Sequence, residues 1–314
     1  MGVELKIRRV VITGPTGAVG TALIEELIRN GVEIAAVCRP GSKRIQAIPH
    51  NELVRIVECG LEDYADLAAM LQDEEPFDAF YHFAWDGTYG PSRLDWHRQA
   101  RNINYSIDAV YAAHKLGCQV FIGAGSQSEF GPVDGILRPD LICAPNNGYG
   151  ASKYADCIMT RALCEGLGMR HEWCRILSAF GPRDGAYTLI ATCIKTLLSG
   201  KHLACTRGDQ IWDYIYSKDV ARAFRLVAEK GKDGSIYLFG TGKTKTLREY
   251  IETIRDLIDP DAQIGFGEIP YYPNQVMHLE ADISNLVADT GFVPQYTFEE
   301  GIAETIDYFK KEMA

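Results

Sequence analysis

The chain has 314 residues, 46% of them hydrophobic and 24% charged, with a formal net charge of -10. That supply of apolar material supports one large domain or two closely packed ones. The negative balance argues against a nucleic-acid partner while leaving room for a locally basic pocket that takes an anionic small molecule. No apolar run reaches bilayer-spanning length, and Met1–Val10 leads straight into a strand-like segment without the apolar core or cleavage site of a signal peptide. The expectation is a soluble, cytoplasmic protein with no membrane partner. The nine cysteines contain no C-x-x-C pair and the seven histidines show no ligand spacing, so the cysteines read as small hydrophobes in a reducing compartment and no metal is expected.

In chain order, RRVVIT predicts a first strand, followed by the turn Gly14-Pro15-Thr16-Gly17-Ala18-Val19-Gly20 and a helix from Ala18 to Asn30. EIAAVC predicts a second strand ending at Cys38, and ELVRIV a weaker third. A helical stretch from about Tyr64 to Gln72 follows, then the strand FDAFYHFA, a long helix through Asn104 to Leu116, and the strand Cys118–Ala124. Strands alternating with helices imply βαβ crossovers and a doubly wound parallel sheet buried on both faces. Beyond about Gly181 the pattern loosens. Helices near Thr188–Ser199, Lys218–Glu229 and Leu247–Leu257 mix with the short strands DYIY and SIYLFG and the stretch Ile269–Pro273, which predicts a smaller α+β lobe.

The strand–glycine turn–helix order is the context in which a glycine pattern becomes a dinucleotide site. Missing side chains let backbone approach a pyrophosphate, and the helix N-terminus supplies free N–H groups and a positive dipole end. Gly14, Thr16, Gly17, Ala18, Val19 and Gly20 are therefore candidate cofactor contacts. After the second strand, an acid would bond the ribose 2′-OH of NAD, whereas a base accommodates the 2′-phosphate of NADP. The chain reads Val37-Cys38-Arg39-Pro40, followed by Ser42, Lys43 and Arg44. Arg39 thus favours NADP, with NAD as the alternative.

Tyr149-Gly150-Ala151-Ser152-Lys153 places a phenol and an ammonium four residues apart on one helix face. A nearby ammonium stabilises phenolate, lowering a tyrosine pKa from about 10 toward neutrality, and can also bond a nicotinamide ribose. Ser126 follows the strand Cys118–Ala124, at the carboxyl end where parallel sheets transform ligands. Its hydroxyl can hold a carbonyl or alcohol oxygen.

These features occur with His82-Phe83-Ala84, Asn104, Phe180-Gly181-Pro182 and Asp213-Tyr214-Ile215-Tyr216…Asp219-Val220 in one order. As a set, with Thr13 before the turn, they resemble the NAD-dependent epimerase/dehydratase family of extended short-chain dehydrogenases/reductases over nearly the whole chain. The resemblance implies an α/β, Rossmann-type NAD(P)-binding domain over residues 1–181, with 211–230 returning to it, and a mainly substrate-binding lobe over 182–314. By the same resemblance Tyr149 is the general acid/base, Lys153 tunes it and holds the ribose, and Ser126 assists at the reacting oxygen. Asn104 helps organise the end of the long helix, and Leu61, Phe83, Ala84 and Asn104 join the cofactor contacts.

Departures from the family pattern narrow the chemistry. Dehydratases of the family carry Thr-Asp-Glu where this chain has Ser126-Gln127-Ser128, and neither Gln nor Ser can replace the Glu as a base. Family members often carry Asn near Ser178 and Arg at Trp212, both at the bound nucleotide diphosphate; Arg183 or Arg207 is expected to take over that role. The candidate substrate contacts are Ser126, Gln127, Ser128, Ser178, Arg183 and Trp212. The segments Gly125–Gly131 and Ile211–Tyr214 are similar to 4-ketoreductases of the CDP-abequose/paratose synthase kind. The expected function is NADPH-dependent reduction of a keto group, at C4, of a nucleotide-activated deoxysugar. A nucleotide-sugar 4-epimerase is the alternative, a non-catalytic NADP-binding sensor the third reading, and a homodimer is expected.

Overall fold

Strands form where β-branched and apolar residues run together, and those covered on both faces lose the alternation of a half-exposed strand. RVVIT and EIAAVC are of this kind, buried at nearly every position. The structure, a computed structural model, describes residues 4–71, 75–185, 187–273 and 275–313. Met1–Val3, at the head of the opening segment, and Gln72, at the end of the second predicted helix, lie outside them.

The elements run β1 (Arg9–Thr13), α1 (Ala18–Arg29), β2 (Glu33–Cys38), β3 (Val54–Glu58), α2 (Leu67–Met70), β4 (Ala79–His82), α3 (Trp96–Lys115), β5 (Val120–Ser126), β6 (Gly135–Leu137) and α4 (Gly148–Gly166). They continue with β7 (Arg170–Ile176), β8 (Ser178–Phe180), α5 (Leu189–Leu198), β9 (Leu203–Cys205), β10 (Ile211–Trp212), β11 (Tyr214–Tyr216), α6 (Ser217–Lys230) and β12 (Ile236–Phe239). The last are β13 (Lys245–Thr246), α7 (Leu247–Ile258), β14 (Ile264–Phe266), β15 (His278–Ala281), α8 (Ser284–Thr290) and α9 (Phe298–Met313).

Seven strands make one parallel sheet in the order β12-β7-β5-β4-β1-β2-β3. The winding reverses between β1 and β4, where Thr13 and His82 lie in register. Their diverging carboxyl ends open the crevice in which doubly wound sheets bind ligands. Helices α1 and α6 cover one face through Leu23, Ile24, Phe224 and Val227, and α3 covers the other through Ala109, Val110 and Ala113. A separate core joins Phe180, Ile194, Ile251 and Ile306 in the second lobe. The nine cysteines are free thiols, and all but Cys143 are buried. Among the described residues, no helix is long and apolar enough to cross a membrane.

Three elements differ from expectation. The helix predicted from Tyr64 is a 3-10 turn over Leu61–Asp66 that continues into the short α2. The SIYLFG run leaves the second lobe and becomes β12, the edge of the large sheet beside β7. Its Tyr237, Leu238 and Phe239 are fully buried, the signature of a strand covered on both faces. The DYIY strand starts one residue late, as β11, because buried Asp213 stands between β10 and β11. The Asp213 carboxylate accepts from the backbone N–H groups of Thr241, Gly242 and Ala281 and from the Thr241 hydroxyl. It ties three segments together beside Trp212. Asp213→Ala strands these donors, so stability is expected to fall by about 3 kcal/mol. A thermal melt checks this; a midpoint unchanged within about 1 °C would contradict the tie.

Candidate active site

The crevice begins at the glycine turn. A Cβ at Gly14 would lie 2.6 Å from Ala84 N, and Gly14 holds a φ of +66°, so the turn closes against the end of β4 only without a side chain there. A Cβ at Gly17 would meet nothing within 4 Å. Gly17 caps α1 without a side-chain partner for the helix N–H groups. The turn therefore presents unpaired donors and a dipole end to open space, which fits a dinucleotide pyrophosphate. Thr16, Ala18 and Val19 are half-buried along the same turn. Arg39 is exposed just past β2, with no side-chain partner among the described residues, and Leu61 is half-buried past β3. Phe83 and Ala84 are half-buried at the opposite wall, with Phe83 packed on Phe224 at 4.6 Å between ring centroids.

Asn104 does not join this group. It is exposed on the outer face of α3, whereas Asn102, two residues earlier, is 1% exposed and faces inward. The Asn102 side chain accepts from Asp86 N at 2.7 Å and donates to Asp86 O at 3.0 Å, anchoring the loop after β4. Helical phase marks the right asparagine. Gln99, Asn102, Ser106, Ala109, Val110 and Ala113, buried with Ala112 on α3, form a stripe spaced by three and four, and residue 104 falls off it.

The turn after β5 is fixed from beneath. Glu129 is fully buried and accepts from Ser126 N at 2.7 Å, from Trp173 Nε1 at 3.0 Å and from Arg175 Nε at 2.7 Å. Trp173 reaches it only because β5 carries glycine there: a Cβ at Gly125 would sit 2.3 Å from Trp173 Nε1. With its backbone so held, the Ser126 hydroxyl caps the turn by accepting from Ser128 N at 3.2 Å, and it acts on the Tyr149 phenol.

Tyr149 enters in the first turn of α4, which Asn147 caps by accepting from Gly150 N at 2.9 Å. Burial pushes its phenol above the ordinary range, opposed first by the charge of Arg93 and then by the Ser126 hydroxyl. Lys153, one helical turn on, is buried; its Nζ donates to Ala124 O at 2.8 Å and lies 3.7 Å from the Trp85 ring centroid. Burial pulls Lys153 down and pushes Asp156 up. Behind them runs a buried polar chain: Thr13 Oγ1 to His82 Nδ1 at 2.9 Å, His82 Nε2 to Ser106 Oγ at 3.0 Å, and Ser106 Oγ to Asp156 Oδ2 at 3.0 Å. Thr13 Oγ1 already accepts from Phe83 N and Ala84 N, so its proton goes to His82 and the chain donates toward Asp156. Burial, then the charge of Lys153, holds His82 neutral, with a pKa down at about 3.

Beyond the turn opens a cavity of about 330 Å³ lined by Gln127, Ser128, Asn147, Trp212, Tyr272 and Gln275 among others, with no charged side chain among the described lining. Ser178 and Trp212 meet directly, Trp212 Nε1 donating to Ser178 Oγ at 2.7 Å. Arg183 stands apart, its guanidinium 5.5 Å from the Tyr308 ring centroid on α9, and Arg207 is paired with Asp209 at 3.0 Å. Neither lines the cavity, so the expected substitute for the missing phosphate-binding arginine is not found there. Sequence reasoning missed Trp85, Arg93 and Asn102. Trp85 follows His82-Phe83-Ala84 immediately and could have been flagged; Arg93 lies in a loop whose path no local pattern reveals.

Residues 10–240 match the NAD dependent epimerase/dehydratase family. The dTDP-glucose 4,6-dehydratase of Salmonella typhimurium is 26% identical over 337 residues, covering 96% of this chain and 92% of that one. CDP-abequose synthase of Salmonella muenchen is 25% identical over 309 residues, covering 95% and 97%. Among solved structures, the UDP-N-acetylglucosamine 4-epimerase of Methanobrevibacter ruminantium, in complex with UDP-N-acetylmuramic acid, is 25% identical and superposes with a TM-score of 0.88 over 98% of this chain and 100% of its own. The open space over Gly17 yields a direct test. The one carbon that Gly17→Ala adds meets no neighbour, so folding stability should stay within about 1 kcal/mol, while nicotinamide dinucleotide affinity should drop at least about tenfold by titration. Unchanged affinity would place the pyrophosphate elsewhere.

Proposed function

The chain belongs to the NAD-dependent epimerase/dehydratase family, and within it we propose that this protein uses NADPH to reduce the C4 keto group of a nucleotide-activated deoxysugar. The observation that carries the reading is the turn after β5. Its one carboxylate, Glu129, is buried against Trp173 and Arg175, while the side chains facing the cavity, Gln127 and Ser128, cannot take a proton from carbon. Elimination of water needs such a base; ketone reduction does not. The near full-length likeness to CDP-abequose synthase supports the same reading.

When bound, the nicotinamide supplies hydride. The glycine turn, Leu61, Phe83 and Ala84 would hold the dinucleotide, Arg39 its 2′-phosphate and Lys153 its ribose. Ser126 and Tyr149 converge on the substrate oxygen, and Tyr149 gives it a proton as ketone becomes alcohol. The 4-epimerase reading uses the same three residues and draws on the likeness to a solved 4-epimerase. The base at the end of β2 weighs against it, because an epimerase returns its hydride within each turnover and needs no reduced phosphorylated cofactor. We further propose that two copies pair through α3 and α4, which leave Tyr111, Ile158 and Met159 exposed.

With NADPH and a panel of nucleotide-linked 4-keto-6-deoxysugars, loss of nicotinamide absorbance should match product mole for mole. Tyr149→Phe should slow turnover about 100-fold with cofactor affinity nearly unchanged. Interconversion of two alcohols without NADPH loss would make the protein an epimerase. NADPH should also bind more tightly than NADH, with Arg39→Ala losing roughly 1.5–3 kcal/mol of that preference; equal affinities in the wild type would remove the case for NADP.

A further inference from the structure

The i, i+4 spacing assigns Lys153 to Tyr149, yet its ammonium is already engaged by Ala124 O and the Trp85 ring. The cation that meets the phenol is Arg93, whose guanidinium carbon lies 4.4 Å from the Tyr149 ring centroid. Arg93 comes from the 3-10 turn Gly90–Leu94. Its Nη2 donates to Ser128 Oγ, two residues beyond Ser126, and it makes no ion pair among the described residues. Trp85 closes the site with its ring 6.2 Å from that of Tyr149.

We propose that Arg93 is a positioning residue that acts beside Lys153 in setting the proton affinity of Tyr149. Over a neutral phenol, a guanidinium interacts with the ring quadrupole; over a phenolate, it faces a full charge, so its attraction grows as the proton leaves. A guanidinium keeps its charge throughout the range in which a tyrosine titrates. Among the groups acting on the phenol, Glu129 and Tyr89 push it up, while Arg93 and the Ser126 hydroxyl draw it down. Asp156 lies behind Lys153 and is pushed up by burial.

The inference rests on Tyr149 being the acid of the site, and its test needs no sugar substrate, so it fails or stands apart from the reductase reading. Protein labelled with ¹³C at tyrosine Cζ is titrated by NMR with NADP⁺ present, the Tyr149 signal being assigned by its loss in Tyr149→Phe. Arg93→Met and Arg93→Gln should each raise the Tyr149 pKa by about one unit or more, and Arg93→Lys should restore part of it. Arg93→Gln can retain a hydrogen bond to Ser128 without the charge, so it separates electrostatics from loop anchoring. A wild-type phenol that stays protonated beyond about pH 11, or an unshifted titration in Arg93→Gln, would overturn the proposal.

Discussion

The site depends on one buried carboxylate. Glu129 takes hydrogen bonds from Ser126 N, Trp173 Nε1 and Arg175 Nε with no exposure to solvent. A buried charge of this kind is tolerable only when paired and fully bonded, and removing one partner from such a pair costs about 3–5 kcal/mol. The rest of the turn follows. Glycine at 125 admits the indole, the turn is drawn down onto β7, and Ser126 is left facing Tyr149. The same interaction supports the proposed reduction over elimination, since the acid in the turn is spent on structure.

Around that anchor the sheet does the positioning. Reversal of winding between β1 and β4 opens a crevice whose walls are the glycine turn and the Phe83–Ala84 edge. The buried chain Thr13–His82–Ser106–Asp156 links the base of the glycine turn to the helix that carries Tyr149 and Lys153. Because His82 is held neutral, that chain has a fixed donor direction and ties strand ends to α3 and α4 without placing a further cation beside Lys153.

Much of this was legible in the residues. The glycine turn after RRVVIT, the strand–helix alternation and the tyrosine–lysine spacing all report local geometry, and the fold they imply is the one found. The SIYLFG strand was misplaced because its burial on both faces is a property of the sheet it joins, not of its own six residues. Asn102 was legible but missed: the inward stripe of α3 names it. Arg93 was not legible, since its contact with Tyr149 joins a loop to a helix start more than fifty positions later in the chain. The Trp212–Ser178 bond shows a pair of departures from the family pattern acting together, which neither position reveals alone.

A turn with no available base, a phenol beside a serine, and an arginine at the end of β2 are what support the proposed delivery of hydride and a proton to a ketone. The most direct measurement of that claim is mass spectrometry of the sugar product formed with NADPH carrying deuterium at the transferable position of the nicotinamide. The account predicts one deuterium per product molecule, on a carbinol carbon. An unlabelled product formed without loss of NADPH would contradict it.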